Sequence, residues 1–589
     1  MAPPAGKHVR RRPPPKARTG ATASGAATPA KDAAAISRKM TPPPGGAVVR
    51  MYCTGLGDCF LLGFPAMDGK TSYVLIDCGV WKGTAAATPW MRRIMGHIRD
   101  EVFGRGIDLL VATHQHWDHL SGFGQAEDIF GELEVREVWL PWTEDPEDGT
   151  AIRLNLERRQ ALRAAMAAAG MLRQQIAAEP MRDTDRWKEL EETADDLEAV
   201  LGFAGYDRES QGLAQAAGAA PAAPYAAAFS GVLGARLGID DLLEIVRNKV
   251  AKPRYVRPSL EPLGLSRVLE LRIYALGPPT DPKYLGKDDP SSVPGKSEVY
   301  LAGLLMNEDT ALYAACSEDD GADERRELTY PFDRWQRFSR EHVKQDPELE
   351  EFFRSHYLED PDAEWRKIDT DWLEAASQLA LNLDDHVNNT SLVLAFELGE
   401  GGPVLLFPGD AQVGSWLSWH QLEGRDGITA ESLLNRTVLY KVGHHASHNA
   451  TLKDKGLKLM TETSRLVAMI PVDEREARKP KGSSKDGWAM PYGKLLAELR
   501  MRAEERVLRA DDRELSPTAS GEVPQWNDGQ RERWQRFAAA TVFQHDTVEI
   551  AGEQVRKTLF IEHTVHADAA PVKPRARKAR SRPKKRAGG

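Results

Sequence analysis

The sequence Thr113-His114-Gln115-His116-Trp117-Asp118-His119 places three histidines and an aspartate within six positions, directly after the apolar run Leu109-Leu110-Val111. A turn at the end of a buried strand allows alternate side chains to project to one side. His114 and His116 can therefore bind one metal ion while Asp118 and His119 reach a neighbouring one. Neutral imidazoles and carboxylates are typical ligands of zinc, with manganese or iron as alternatives. The segment predicts a metal site.

Two later segments offer the further ligands that a pair of ions requires. A second apolar strand leads into Phe407-Pro408-Gly409-Asp410, which makes Asp410 a candidate bridging carboxylate. A third leads into Tyr440-Lys441-Val442-Gly443-His444-His445-Ala446-Ser447-His448, which supplies a late histidine, either His444 or His445. Lys441, His445 and His448 are close enough in sequence to stabilise a developing anion or a leaving group, and each could equally be a surface side chain.

The composition is typical of a soluble globular protein. Of 589 residues, 41% are hydrophobic and 28% charged, and the mean hydropathy is −0.47. No stretch is apolar enough to cross a bilayer, and proline and small polar residues follow the basic N-terminus where a secretory signal requires an apolar run. The four cysteines form no Cys-x-x-Cys pair. We therefore expect a cytoplasmic protein whose metal is held by histidine and carboxylate.

Charge is distributed unevenly along the chain. The net charge is −9, but residues 1–50 carry +9 and residues 567–589 carry +8, which leaves −26 on the body between them. Both ends are rich in proline, alanine and basic residues and lack aromatic ones, so they cannot bury enough apolar surface to become ordered. We predict disordered basic tails at 1–45 and 567–589. They act either as electrostatic arms for nucleic acid or as solvated tails that balance the acidic body.

Short β-like runs and helical segments share the body of the chain, which indicates an α/β layer fold. We interpret residues 46–510 as one domain whose core comprises 46–149, 262–283 and 386–510. Helical insertions interrupt it at 150–261 and 284–385, and an extension with closing strands follows at 511–566. The helical spacing in the insertions is carried by Leu190, Ala194, Leu197 and Leu201 and by Ile368, Trp372, Ala376 and Leu379.

Taken together, these motifs resemble the metallo-β-lactamase superfamily, whose hallmark is His-x-His-x-Asp-His. The likeness is greatest to the branch that includes the soluble domain of bacterial competence DNA-uptake proteins. Further motifs that carry it are Gly55-Leu56-Gly57-Asp58-Cys59, Leu75-Ile76-Asp77-Cys78-Gly79, Leu276-Gly277-Pro278-Pro279 and Asn388-Asn389-Thr390-Ser391-Leu392-Val393-Leu394. The resemblance covers the core segments and excludes the insertions and the tails.

The resemblance implies a four-layer αβ/βα sandwich with the site along one edge. It implies one metal on His114 and His116, a second on Asp118, His119 and His444, and Asp410 between them. Asp77 would orient the histidine loop. Asp118 and Asp410 are the candidate catalytic residues, because Asp118 can orient the attacking water that the two ions activate.

Three positions depart from the branch or leave its pattern open. Ala446 stands where the branch has a glycine, a change that narrows the loop. The sequence Gly487-Trp488-Ala489-Met490-Pro491 stands where the branch often has Tyr-Gly-His-Pro, so a histidine on the substrate side is missing. His386 lies five residues before Ser391, near the third histidine of many superfamily members. It is either a metal ligand or a polar residue where a strand begins.

Two functions from different classes are consistent with these residues. The first is a metal-dependent hydrolase that cleaves phosphodiesters, with nucleic acid as a candidate substrate because of the branch and the basic tails. Two zinc ions would lower the pKa of a water between them and polarise the scissile phosphoryl or carbonyl group. The second is a signalling or scaffold protein that binds a protein partner through its helical insertions and holds metal in a structural role.

Overall fold

The computed structural model describes residues 39–178, 185–205, 238–285, 340–358, 386–480, 486–517, 525–550 and 552–567. Within these residues two β-sheets pack face to face, and helices cover the outer face of each. The αβ/βα sandwich that the sequence predicts is confirmed. The predicted helical face at 368–379 and most of both predicted tails lie outside the described residues. Met40, within the predicted N-terminal tail, is buried, and its N–H donates to Glu101 Oε1 at 2.9 Å.

The strands alternate with helices along the chain and form two sheets. They are β1 (Ala47–Tyr52), β2 (Phe60–Pro65), β3 (Thr71–Ile76), β4 (Ile107–Val111), β5 (Val135–Pro141), β6 (Arg254–Val256), β7 (Ser259–Leu265), β8 (Val268–Gly277), β9 (Val393–Leu398), β10 (Val404–Phe407), β11 (Thr437–Lys441), β12 (Val467–Ile470), β13 (Val507–Arg509), β14 (Thr541–Ile550) and β15 (Glu553–Val565). Sheet 1 has the order β14-β15-β1-β2-β3-β4-β5-β6, and sheet 2 has the order β13-β12-β11-β10-β9-β8-β7. Strands β3 to β6 and β10 to β13 are parallel.

The outer layers are helical. The helices of the described segments are α1 (Ala87–Val102), α2 (Trp117–Gln125), α3 (Glu127–Gly131), α4 (Gly149–Ala178), α5 (Asp185–Leu201), α6 (Ile239–Arg247), α7 (Pro282–Leu285), α8 (Arg340–Gln345), α9 (Pro347–Phe353), α10 (Val413–Trp419), α11 (Ala430–Asn435), α12 (Glu474–Ala477), α13 (Gly493–Arg502) and α14 (Asp528–Ala539). Helices α1, α2, α3 and α6 bury apolar side chains on sheet 1, and α10, α11 and α13 bury theirs on sheet 2. None of them is long and apolar enough to cross a membrane.

The strands are apolar on both faces because each sheet lies between two layers. In β1, Val48 and Tyr52 pack against the helices, while the alternate residues Val49 and Met51 pack against sheet 2. All six residues of β1 are buried. This pattern explains why continuous apolar runs, rather than alternation with polar residues, marked the strands in the sequence.

Helices α4 and α5 form a pair with its own small core. The predicted face of α5, made of Leu190, Ala194, Leu197 and Leu201, is buried against apolar residues of α4. Arg173 of α4 adds ion pairs to Glu191 at 2.9 Å and Glu198 at 2.8 Å on α5. This pair extends from the end of β5 back to the short helical turn Gly202–Ala204, which lies beside the histidine loop.

Candidate metal centre

The candidate site lies where parallel strands of both sheets end. Asp77 follows β3, the histidine loop follows β4, Asp410 follows β10, and His444 follows β11. Strands β3 and β4 are parallel neighbours in sheet 1, and β10 and β11 are parallel neighbours in sheet 2. Their carboxyl ends therefore meet at one edge of the sandwich, as in other open α/β sheets.

Asp77 fixes the histidine loop. Its Oδ1 accepts from the backbone N–H of Thr113 at 2.8 Å, and its Oδ2 accepts from the Thr113 hydroxyl at 2.6 Å and lies 2.8 Å from His119 Nδ1. The second nitrogen of His119 is thereby directed towards Asp410, with Nε2 at 3.2 Å from Oδ2. His114 Nε2 lies 3.1 Å from His116 Nδ1. These are the contacts that the predicted orienting role of Asp77 requires.

A buried lysine joins the two sheets at the site. Lys441 Nζ lies 2.5 Å from Asp58 Oδ2 and 2.9 Å from Asp410 Oδ1, and it also donates to Gly409 O at 2.7 Å. Lys441, Asp58 and Asp410 are each about 1–2% exposed. Asp58 belongs to the motif Gly55–Cys59, for which no ligand or orienting residue is predicted from the sequence. The position of this carboxylate in a glycine-rich turn before strand β2 is the sequence feature that could have indicated its role.

The two histidines after β11 take different places. The N–H of His444 donates to Asp410 Oδ1 at 2.8 Å, and its Nδ1 lies 2.9 Å from the Ser447 hydroxyl. His445 Nε2 lies 2.9 Å from Asp118 Oδ2, and its Nδ1 lies 2.7 Å from Pro471 O. His444, His445 and Ala446 all have positive φ, at 44°, 49° and 62°. This left-handed backbone directs the two rings apart.

Three overlapping groups of side chains are arranged closely enough to share a metal ion. Their ligand atoms lie within 4.8 Å of one another, and the groups are His114, His119 and Asp410; Asp58, Asp77 and His119; and Asp118, Asp410 and His445. The third group contains His445, whereas His444 is in none of the three, although its backbone N–H bonds to Asp410. His116 is also in none of them, but its Nδ1 lies 3.1 Å from His114 Nε2.

His386 differs from the other predicted ligands. It is exposed and begins a helical turn at 386–389, whereas the other six are buried. Among the described residues, it is in none of the groups that could hold an ion.

Burial keeps three imidazoles neutral. It lowers the pKa of His114 well below the ordinary histidine value, that of His116 to about 3 and that of His444 to about 4. A neutral imidazole offers the lone pair that metal binding requires. Burial also lowers the pKa of His119, but the carboxylates of Asp410 and Asp58 outweigh it and hold that pKa well above the ordinary value. In the absence of a bound cation, His119 therefore carries a charge-balancing proton.

These donors fit a divalent cation. The four carboxylates of Asp58, Asp77, Asp118 and Asp410 are all buried, at most 2% exposed. Asp118 Oδ1 is buried and has no hydrogen-bond partner among the described residues, which is costly for a carboxylate unless a cation is near. A metal ion here would accept that oxygen and take over the balancing role of the His119 proton. The mixture of imidazole and carboxylate suits zinc, manganese or iron.

Aromatic side chains cover the histidine loop. Phe203, in the turn after α5, has its ring 5.9 Å from that of His116 and stacks on Trp488 at 5.1 Å. Trp488 in turn contacts the edge of Trp81 at 5.4 Å. Gly205 has a φ of 86°, and a Cβ there would lie 2.6 Å from the Trp117 ring, so only glycine allows this close approach. The turn that follows the α4–α5 pair, within the predicted insertion, therefore lies directly against the histidine loop.

Phe203→Ala is expected to make the site more accessible. Removing a buried ring costs about 3 kcal/mol of packing, which favours opening of the turn. In zinc-loaded protein, the loss of zinc to a chelator, followed with a metallochromic dye, should become at least roughly tenfold faster, since about 1.4 kcal/mol corresponds to tenfold. Phe352→Ala, at an exposed phenylalanine of α9, is the control and should leave the rate unchanged. An unchanged rate in Phe203→Ala would show that Phe203 does not restrict access.

One comparison with known proteins, against models of protein families, agrees with this geometry. No curated protein matches the chain in sequence. The model of the family described as "Metallo-beta-lactamase superfamily" does match, over residues 54–203, the segment that carries Asp58, Asp77, the whole histidine loop and the α4–α5 pair up to Phe203.

Proposed function

We propose that this protein is a metal-dependent hydrolase that cleaves phosphodiesters, with two zinc ions as its cofactor. The observation that carries the proposal is the buried convergence of His114, His119 and Asp410 with Asp118 and His445 at one edge of the sandwich. Five separate segments of the chain supply the charged groups of this edge. Such a concentration of buried ionisable groups is costly for folding and is characteristic of functional sites.

Bound divalent ions would supply Lewis-acid polarisation of the scissile group and a water of lowered pKa. Side chains of the protein orient the carboxylates that this chemistry requires. His445 Nε2 lies 2.9 Å from Asp118 Oδ2, while Asp118 Oδ1 is buried and has no hydrogen-bond partner among the described residues. Lys441 fixes Asp410 through Oδ1, so that Oδ2 faces His119. The aromatic cover limits the entry of bulk water.

The phosphodiester assignment draws on two further supports. The motifs resemble the branch that includes competence DNA-uptake proteins, and the basic ends of the chain would attract a polyanion such as nucleic acid. The acidic body opposes this attraction, so binding of nucleic acid would depend on the tails and on the metal ions. Binding of a small phosphorylated substrate would not depend on the basic tails.

The proposal is tested by measuring bound metal and substrate turnover in the wild-type protein and in one variant. Metal-free protein reconstituted with zinc or manganese should hold two equivalents by elemental analysis and hydrolyse bis-p-nitrophenyl phosphate, but not a lactam or a simple ester. His116→Ala should lose at least about 100-fold in rate, because even residues that only support a metal ligand contribute 10–100-fold. His356→Ala, at an exposed histidine outside the cluster, should retain full activity. Equal turnover by wild type and His116→Ala would reject the assignment.

A further inference from the structure

A cavity lies at the edge of the sandwich opposite the candidate metal centre. It has a volume of about 710 Å³ and is lined by the first residues of β11 and β12, including Val438 and Val467, and by the last residues of β15. The metal-binding cluster follows the carboxyl ends of strands, whereas this cavity lies at the amino ends. The two places are therefore separated by the length of strand β11.

The ionisable groups that line this cavity are basic. They are Arg465, Arg506, Arg533, Arg536, His563 and His566, and none of the described lining residues is acidic. Among the described residues, carboxylates from outside the lining pair with three of these arginines. Glu504 pairs with Arg506 at 3.0 Å and with Arg533 at 2.7 Å, and Glu532 pairs with Arg536. The cavity thus gathers four guanidinium groups, in a protein whose net charge is −9.

Several of these cations are held in place before any ligand binds. Arg506 Nε donates to Leu466 O at 3.1 Å, Arg465 Nη2 donates to His566 O at 2.6 Å, and Arg533 contacts both oxygens of Glu504. Burial lowers the pKa of His563 to about 3, with further lowering by His566 and Arg506, as expected in a positive field. Side chains that are already ordered lose less entropy when they bind an anion.

The remaining wall of the cavity is apolar. Val438, Val467, Phe537 and Val565 lie between the arginines. A cavity of this size falls in the range of sites for small organic ligands, which combine an apolar surface with a few well-placed polar groups. Guanidinium groups bind phosphate through paired hydrogen bonds, and several of them favour a ligand with several phosphate oxygens.

We propose that this cavity binds a small organic molecule that carries two or more phosphate groups, as a nucleoside triphosphate does. Arg465, Arg533 and Arg536 contact the phosphates, and the organic part lies against Phe537. The site is independent of the metal centre, because it shares no residue with it and lies at the other edge of the sheets.

Calorimetric titration of the full-length chain at physiological salt tests the proposal, with ATP, AMP and inorganic tripolyphosphate as probes. ATP should bind, and AMP and tripolyphosphate should each bind at least tenfold more weakly, since one lacks phosphates and the other lacks the organic part. Arg465→Gln/Arg536→Gln should weaken ATP binding at least tenfold. Arg272→Gln/Arg425→Gln removes the same charge from arginines paired with Glu400 and Glu261 and should bind ATP as wild type does.

His116→Ala separates this site from the metal centre, and it should bind ATP with unchanged affinity. Loss of ATP binding in His116→Ala, or retention of it in Arg465→Gln/Arg536→Gln, would overturn the proposal. Equal affinity for tripolyphosphate and ATP would contradict an organic ligand. An oligonucleotide that displaces ATP and binds more tightly than it does would assign the cavity to nucleic acid instead. Equal thermal midpoints of the variants confirm that they are folded.

Discussion

Asp410→Ala is expected to lower the free energy of unfolding of the metal-free protein by about 3–5 kcal/mol, the usual cost of removing one partner from a buried ion pair. Asp410 is 1% exposed and accepts from Lys441 Nζ and from the N–H of His444, and it faces His119. Without it, the Lys441 ammonium keeps Asp58 as its charged partner and the Gly409 carbonyl, and the His444 N–H loses its acceptor. Urea denaturation followed by tryptophan fluorescence measures the change.

Two further variants make this expectation specific. Asp454→Ala removes an exposed carboxylate paired with Lys458 and should change stability by less than about 0.5 kcal/mol, as surface substitutions do. Asp410→Asn keeps the shape and an acceptor for His444, so it should lose less stability than alanine while still losing bound metal. An Asp410→Ala protein as stable as wild type would show that the Asp58–Lys441–Asp410 arrangement does not support the fold.

Gly79→Ala is expected to disrupt the site by displacing the backbone of the histidine loop. A Cβ on Gly79 would lie 2.2 Å from the carbonyl carbon of Asp118 and 2.4 Å from the N atom of His119. Backbone atoms cannot rotate away as a side chain does, so the Asp118–His119 peptide must move. We expect a loss of about 3 kcal/mol of stability together with the loss of bound metal by elemental analysis.

Gly96→Ala is the matched control for Gly79→Ala. Gly96 lies in helix α1, where a Cβ would meet nothing within 4 Å. Alanine favours a helix interior over glycine by about 1 kcal/mol, so this variant should be more stable than wild type and bind metal normally. If Gly79→Ala also bound metal normally, the close approach of Gly79 to the loop would have no role in forming the site.

Strand positions and the histidine loop could be predicted because their signals are local. Apolar runs mark strands such as β4 and β10, and the ligands follow them within a few residues. The Asp58–Lys441 pair could not be predicted in this way, because the two residues lie far apart in the sequence and come together only when the sheets pack. The same holds for Phe203 and Trp488, which come from separate segments beside His116.

The choice between His444 and His445 depends on backbone conformation. Both follow β11 and both are histidines, so residue type does not distinguish them. The left-handed conformation of both residues sets the direction of each ring, and because neither is a glycine the sequence gives no sign of it. His386 has a suitable residue type at a suitable spacing but is exposed, and the sequence alone does not indicate its exposure.

The Lys441 contacts also bear on how substrate could reach the metal centre. One ammonium group joins Asp58, beside sheet 1, to Asp410, beside sheet 2, so parting the sheets at this edge would expose unpaired charges in a dry interior. Separating the two sheets at this edge by a hinge motion is therefore energetically unfavourable. Conformational freedom for admitting a substrate would instead come from segments that cover this edge, such as the turn that carries Phe203.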